Sequence, residues 1–208
     1  MKNIGFRLYL ITDRKLFVDR RAFFSAIEEA LKGGVQALQL REKDLQTRAL
    51  LDMAYHLKEL ADRHGAKLFI NDRVDIALSV KADGVHLGSS GIPVSAARRV
   101  VGKGMLIGAS THSVEEAAQA EHDGADFVTF GPVYETPSKM RYGRPLGTDV
   151  LRRAKNEITL PVFAIGGIRK ERVADVLKSG AYGVALISAI LSSGDVRRNT
   201  EEFMRLLK

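Results

Sequence analysis

Eight short apolar, β-rich runs, at 7–12, 37–41, 67–70, 84–87, 106–109, 127–130, 162–165 and 183–187, alternate along the chain with stretches of helical periodicity. The helical patterns cover 20–32, 47–64, 94–101, 114–123, 149–156, 170–178 and 196–207, and the gap between Asn71 and Gly84 leaves room only for a short helix near Val74. Strands that are apolar on both faces need cover on both, so this alternation dictates a parallel sheet with helices packed outside it. Four places repeat a helix-ending Gly or Ala just before a strand: Gly33-Gly34-Val35, Ala82-Asp83-Gly84, Gly124-Ala125-Asp126 and Gly180-Ala181-Tyr182. Eight such units close most simply into a (β/α)8 TIM barrel, an α/β fold, as a single domain over residues 1–208. An open doubly wound sheet is the alternative.

Composition narrows the chemistry. A chain of 208 residues that is 45% hydrophobic can bury a full core, which excludes a disordered segment and a disulfide-stapled miniature. It has no Cys, so thiolate zinc sites, iron–sulfur clusters and cysteine nucleophiles are excluded and oxygen and nitrogen groups must do the work. The longest uncharged stretch, 181–194, is shorter than the roughly 18–20 residues of a membrane span. With no secretory pattern around Arg7 and Asp13, the expected location is the cytoplasm. The net charge of +7 is carried by scattered pairs such as Arg20-Arg21, Arg98-Arg99 and Arg152-Arg153 with few aromatics between them, a distribution suited to small anionic substrates rather than to nucleic acid.

In a barrel of this kind the active site forms at the C-terminal ends of the strands. Those ends carry Thr12-Asp13, Arg41-Glu42-Lys43, Asn71-Asp72-Arg73, Gly88-Ser89-Ser90, Ser110-Thr111-His112, the 131–139 loop, Gly166-Gly167 and Ser188. The spacing of Gln39, Arg41 and Lys43 sends all three to one side of the second strand, where the cations fit a phosphate or diphosphate; an internal salt bridge with Glu42 or Asp72 is the alternative. Gly166-Gly167, with Ile187-Ser188 after the eighth run, occupies the place where many barrels bind phosphate through backbone N–H groups, unless these are ordinary tight turns. Two anion sites on one rim imply a reaction that joins two phosphorylated molecules. In the 131–139 loop, Thr136 and Ser138 alternate and Lys139 adds a third cation, so it reads either as an element that closes over ligand or as a surface loop. Asp72 suits a single Mg2+ ligand or an N-cap for the helix at Val74. His86 and His112 are read as site residues or as hydrogen-bonded barrel histidines.

The motifs Tyr9-Leu10-Ile11-Thr12-Asp13, Gln39-Leu40-Arg41-Glu42-Lys43, Ile70-Asn71-Asp72-Arg73, Gly84-Val85-His86-Leu87-Gly88, Ser110-Thr111-His112, Thr136-Pro137-Ser138-Lys139 and Ala164-Ile165-Gly166-Gly167 together resemble the thiamine phosphate synthase and TenI-like family over nearly the full chain. In the synthase branch the resemblance implies a transferase that joins hydroxymethylpyrimidine diphosphate to hydroxyethylthiazole phosphate, releasing diphosphate with the help of Mg2+. Carried over residue by residue, Gln39 would contact the pyrimidine, and Arg41, Lys43, Asn71 and Lys139 would hold its diphosphate. Asp72 would ligate the metal, and Ser110, Thr136 and Ser138 would position the reacting partners. Gly167, Ile187 and Ser188 would bind the thiazole phosphate. Arg41, Lys43, Ser110 and Lys139 would carry the catalysis by stabilising the leaving group and aligning the reactants.

Two departures from the family pattern stand out. Ser89-Ser90-Gly91 replaces a Gln-acid-Asp motif whose Asp is the second metal ligand, and Pro132 stands where the TenI-like tautomerases carry His. Synthase is the expected branch; a thiazole tautomerase or a non-catalytic thiamine-pathway ligand sensor are the alternatives. A homo-oligomer is compatible with any of them.

Overall fold

The computed structural model describes residues 4–136 and 145–208. Eight parallel strands, β1 (Leu8–Ile11), β2 (Ala37–Leu40), β3 (Lys67–Asn71), β4 (Gly84–Leu87), β5 (Leu106–Thr111), β6 (Phe127–Phe130), β7 (Val162–Ile165) and β8 (Gly183–Leu186), close into a barrel in sequence order. β1 pairs with both β2 and β8, so the sheet is closed rather than open. Outside it run α1 (Arg20–Lys32), α2 (Thr47–Arg63), α3 (Val74–Ser79), α4 (Val94–Val101), α5 (Val114–His122), α6 (Asp149–Glu157), α7 (Lys170–Lys178), α8 (Ser188–Leu191) and α9 (Val196–Leu206). Asp19, Ser113 and Asp195 start α1, α5 and α9 by accepting hydrogen bonds from Ala22 N, Glu116 N and Arg198 N, which satisfies donors that the first turn of a helix leaves open.

The strand residues sort by parity into two cores. Leu8, Leu10, Leu38, Leu40, Leu68 and Ile70 face outward against the helices. Phe6, Tyr9, Phe69, Phe127 and Phe163 fill the inside of the barrel, with Ile4, Ile11, Ala37 and Ala185. Their rings meet largely edge to face, as in Tyr9–Phe69 at 5.3 Å and Phe69–Phe127 at 5.4 Å between centroids, the arrangement that the ring quadrupole favours. Each fully buried ring contributes roughly 1.5–3 kcal/mol by area.

Five large rings fit inside a small barrel because the facing strands carry glycine. A Cβ at Gly84 would overlap the Phe69 ring, and one at Gly108 would lie 2.5 Å from both Phe127 Cζ and His86 Nδ1. One at Gly183 would lie 2.8 Å from Phe163 Cε1. The floor of the barrel is therefore solid and aromatic, and polar groups are confined to the layer above it.

Candidate functional site

That layer is built by the inward-facing residues one step closer to the C-terminal ends: Gln39, Asn71, His86, Ser110 and Thr129, in which the register pairs Asn71 with His86 and Ser110 with Thr129 and side-chain hydrogen bonds join the rest. β3 and β5 extend beyond their apolar runs to Asn71 and Thr111 because these polar residues still pair with β4 and β6. Gln39 Nε2 donates to Asn71 Oδ1 at 3.2 Å, and Asn71 Nδ2 donates to Asp72 Oδ2 at 2.7 Å. His86 Nε2 faces Ser110 Oγ at 3.0 Å and Thr129 Oγ1 at 3.4 Å, while its Nδ1 faces Tyr9 Oη at 3.4 Å. Burial pushes the imidazole pKa down to about 3, so the ring is neutral and serves as a hydrogen-bonding spacer between the aromatic floor and the Ser110 hydroxyl.

On the rim above β2, the three residues expected on one side divide. The strand ends at Leu40, Gln39 turns into the barrel and is buried, and Arg41 and Lys43 stand exposed in the loop. Glu42, between the two cations, points the other way. It is buried, and its Oε1 accepts from Thr12 Oγ1 at 2.7 Å and from Arg14 N at 3.0 Å. Thr12 Oγ1 in turn accepts from Arg41 N at 2.9 Å, so the loop after β1 fixes the backbone from which both cations project. Burial also pushes the Glu42 carboxyl pKa up, against the lowering effect of these hydrogen bonds.

The internal salt bridge considered for this pair is formed by one of them. Lys43 Nζ lies 3.6 Å from Asp72 Oδ2, whereas Arg41 enters no ion pair among the described residues. A cavity of about 220 Å3 opens here, lined by Leu40, Leu45, Leu50, Lys43, Asp72 and Arg73 among others, so the Lys43–Asp72 pair borders space rather than packed protein.

Across the mouth, β7 is followed by Gly166 and Gly167, both at positive φ (+96° and +64°). Gly167 is glycine for two reasons: its backbone is left-handed, and a Cβ would lie 2.5 Å from Glu135 O and 2.8 Å from Tyr134 Cβ. The turn is braced from both sides. Val133 N and Tyr134 N donate to Ile165 O and Gly166 O, and Arg172 Nη1 donates to Gly167 O at 2.5 Å. The Arg172 guanidinium lies 4.4 Å over the Tyr134 ring, whose hydroxyl donates to Asp175 Oδ2 at 2.6 Å. Ile187 is the residue before the four-residue helix α8, and Ser188 is its exposed first residue. Nothing in the sequence singled out Tyr134 or Arg172; their pairing depends on tertiary approach alone. Glu42, the other salt-bridge partner that the sequence offered for these cations, pairs instead with Arg14, whose Nε lies 3.7 Å from its Oε2.

Thr136 ends the described part of the β6 loop, and Ser138 and Lys139 lie outside the described residues. The loop returns through Leu146 N and Gly147 N, which donate to Pro132 O and Val133 O. His112 sits outside the barrel mouth network, its backbone N donating to Glu116 Oε2 at 2.7 Å. Asp72 does not cap α3: Arg73 holds the cap position and makes no side-chain capping bond there. Its carboxylate accepts from Gly88 N at 2.7 Å instead, because the residue adopts a left-handed backbone (φ 59°) that turns the side chain toward the loop after β4.

That geometry bears on Mg2+. Among the described residues no three His, Asp or Glu side chains gather into a cation site. Asp72 is a lone carboxylate with both oxygens hydrogen-bonded and an ammonium beside it. A hard divalent ion needs free, near-octahedral oxygen donors, so the residues do not fit a cation held by the protein alone.

A closed barrel with cations on one side of its mouth, a braced glycine turn on the opposite side and a neutral polar layer between them is the architecture of a phosphate-handling barrel enzyme. The family model for thiamine monophosphate synthase matches residues 8–190, and the chain belongs to that family. A Geobacter sulfurreducens protein whose thiamine-phosphate synthase name is itself provisional is 52% identical over 207 residues, covering 100% of this chain and 97% of that one. The thiamine-phosphate synthase of Clostridium acetobutylicum is 40% identical over 208 residues, covering 100% and 98%. The solved thiamine phosphate pyrophosphorylase of Pyrococcus furiosus superposes with a TM-score of 0.88 at 40% identity, covering 97% and 95%.

Proposed function

We propose that the chain is a thiamine-phosphate synthase, a transferase that joins hydroxymethylpyrimidine diphosphate to hydroxyethylthiazole phosphate. The observation that carries this reading is the pairing of Arg41 and Lys43 above β2 with the Gly166-Gly167 turn above β7, on opposite sides of one barrel mouth. One molecule with a diphosphate and one with a phosphate monoester would then meet over the Gln39–Asn71 and His86–Ser110 pairs.

In the proposed reaction the methylene C–O bond to diphosphate breaks with the electron pair leaving on oxygen. The thiazole nitrogen lone pair then closes a C–N bond to the methylene carbon, giving thiamine phosphate and diphosphate. No protein nucleophile or strong base is required. Arg41 and Lys43 would stabilise the leaving diphosphate, with Lys139 as a third cation. Gln39 and Asn71 would orient the pyrimidine, Ser110, Thr136 and Ser138 would align the partners, and backbone at Gly167 and Ile187 with the Ser188 hydroxyl would seat the thiazole phosphate. Mg2+ enters this proposal only as an ion carried on the substrate's diphosphate. The proposal places the enzyme in the cytoplasm, where charged phosphate esters are retained, and is neutral between a monomer and a homo-oligomer.

Incubating the purified chain with both phosphorylated substrates and following thiamine phosphate by mass spectrometry tests the reading. Product whose rate depends on both substrates is expected. Aromatisation of a thiazole carboxylate tautomer without any thiamine phosphate would replace this reading with the tautomerase, and binding of both substrates without turnover would replace it with the sensor.

A further inference from the structure

We propose that this chain holds no divalent cation of its own, and that Asp72 serves as a clamp on the loop after β4, leaving side-chain cations as the fixed positive charge for the diphosphate. The inference rests on the reading of the β2 and β3 rim as a diphosphate site.

Asp72 is engaged at its backbone N–H and at both carboxylate oxygens. Its N donates to His86 O at 2.9 Å, Oδ1 accepts from Gly88 N at 2.7 Å, and Oδ2 accepts from Asn71 Nδ2 at 2.7 Å with Lys43 Nζ 3.6 Å away. The carboxylate and the Lys43 ammonium together present no net charge to an approaching ion. A hydrated divalent ion would have to break these bonds and face that ammonium in exchange for one protein ligand.

Gly91 makes the clamp sterically possible. The loop after β4 folds back through a Gly91 N to Gly88 O bond of 2.9 Å, which sets Gly91 against the Asp72 carboxylate. A Cβ at position 91 would lie 2.7 Å from Asp72 Oδ1 and 3.2 Å from Gly88 O, and one at Gly88 would lie 3.4 and 3.5 Å from the two carboxylate oxygens. Any side chain at 91 therefore moves Asp72 off Gly88 N. Glycine at 91 offers no side-chain donor of its own and leaves the Asp72 carboxylate the room to bond Gly88 N.

Mn2+ titration of the substrate-free chain, read from the amplitude of the free-ion paramagnetic resonance signal, tests this, with Mn2+ as the probe for a hard oxygen site. The wild-type chain is expected to leave the signal as in buffer into the millimolar range. Gly91→Asp, which releases Asp72 and adds a second carboxylate beside it, is expected to bind Mn2+ at least about tenfold more tightly. Gly91→Ala, which releases Asp72 but adds no donor, is expected to match the wild type. Saturable binding to the wild type that Asp72→Asn removes would overturn the proposal, as would Gly91→Ala binding as tightly as Gly91→Asp. If circular dichroism shows that Gly91→Asp does not fold, the wild-type and Asp72→Asn pair still decides. Because no substrate is present, a failure of the synthase assay leaves this result untouched.

Discussion

His86 Nε2 lies 3.0 Å from Ser110 Oγ in the barrel interior, and the imidazole is neutral there because burial pushes its pKa down to about 3. The hydroxyl proposed to sit against the reacting groups is thus oriented by a ring that carries no charge at neutral pH.

This neutrality has a measurable cost on acidification. The unfolded chain protonates this histidine near pH 6.5, while the folded chain resists until about pH 3, so between those values the unfolded state binds more protons. The contribution of His86 to stability is complete above about pH 6.5 and falls as pH drops toward 3. At pH 5 the deficit amounts to about 2 kcal/mol. The melting temperature of the wild type should fall between pH 7 and pH 5, and His86→Gln should be less stable at pH 7 but flatter over that range. An equally steep acid limb in the variant would place the effect elsewhere.

Arg41→Ala and Lys43→Ala should each weaken binding of the pyrimidine diphosphate by about 10- to 100-fold, corresponding to a charge-assisted contact of roughly 1.5–3 kcal/mol. Stability should change little, since both side chains are exposed and the Lys43–Asp72 pair at 3.6 Å is partly solvated. Isothermal titration beside thermal melts separates the two effects. Lost melting temperature with unchanged affinity would make the pair structural.

Gly167→Ala and Ser188→Ala should differ in kind. The first drives a methyl into Glu135 O and Tyr134 Cβ from a left-handed backbone, and should cost about 1–3 kcal/mol of stability as well as binding of the thiazole phosphate. The second removes an exposed hydroxyl and should raise KM for the thiazole phosphate with the melting temperature unchanged. Equal affinity for that substrate in both variants and the wild type would move the phosphate site away from this turn.

Hydrophobic periodicity located all eight strands, because each is covered on both faces and so reads as an unbroken apolar run. It misplaced only ends, as at Asn71 and Thr111, where polar residues continue the ladder inside the barrel and look like loop in one dimension. The placement of Arg41, Lys43 and Gly167 at the barrel mouth was legible because each closely follows an apolar strand run. The Asp72 clamp was not. Whether a carboxylate caps a helix, meets a metal or bonds a loop depends on a left-handed φ and on the approach of Gly88 and Gly91, neither of which composition or spacing encodes. The Tyr134, Arg172 and Asp175 brace was hidden for the same reason, being assembled from segments about 40 residues apart.

The aromatic plug across the barrel bears on the order of events. Phe6, Tyr9, Phe69, Phe127 and Phe163 fill the lower interior, and among the described residues the polar layer lies between this plug and the rim. Gln39 is buried directly above that plug, deeper than the exposed Arg41, Lys43 and Ser188. In the proposed reaction the pyrimidine is therefore expected to be the inner partner and the thiazole phosphate the outer one, so that the pyrimidine binds first and the joined product leaves before the next pyrimidine enters.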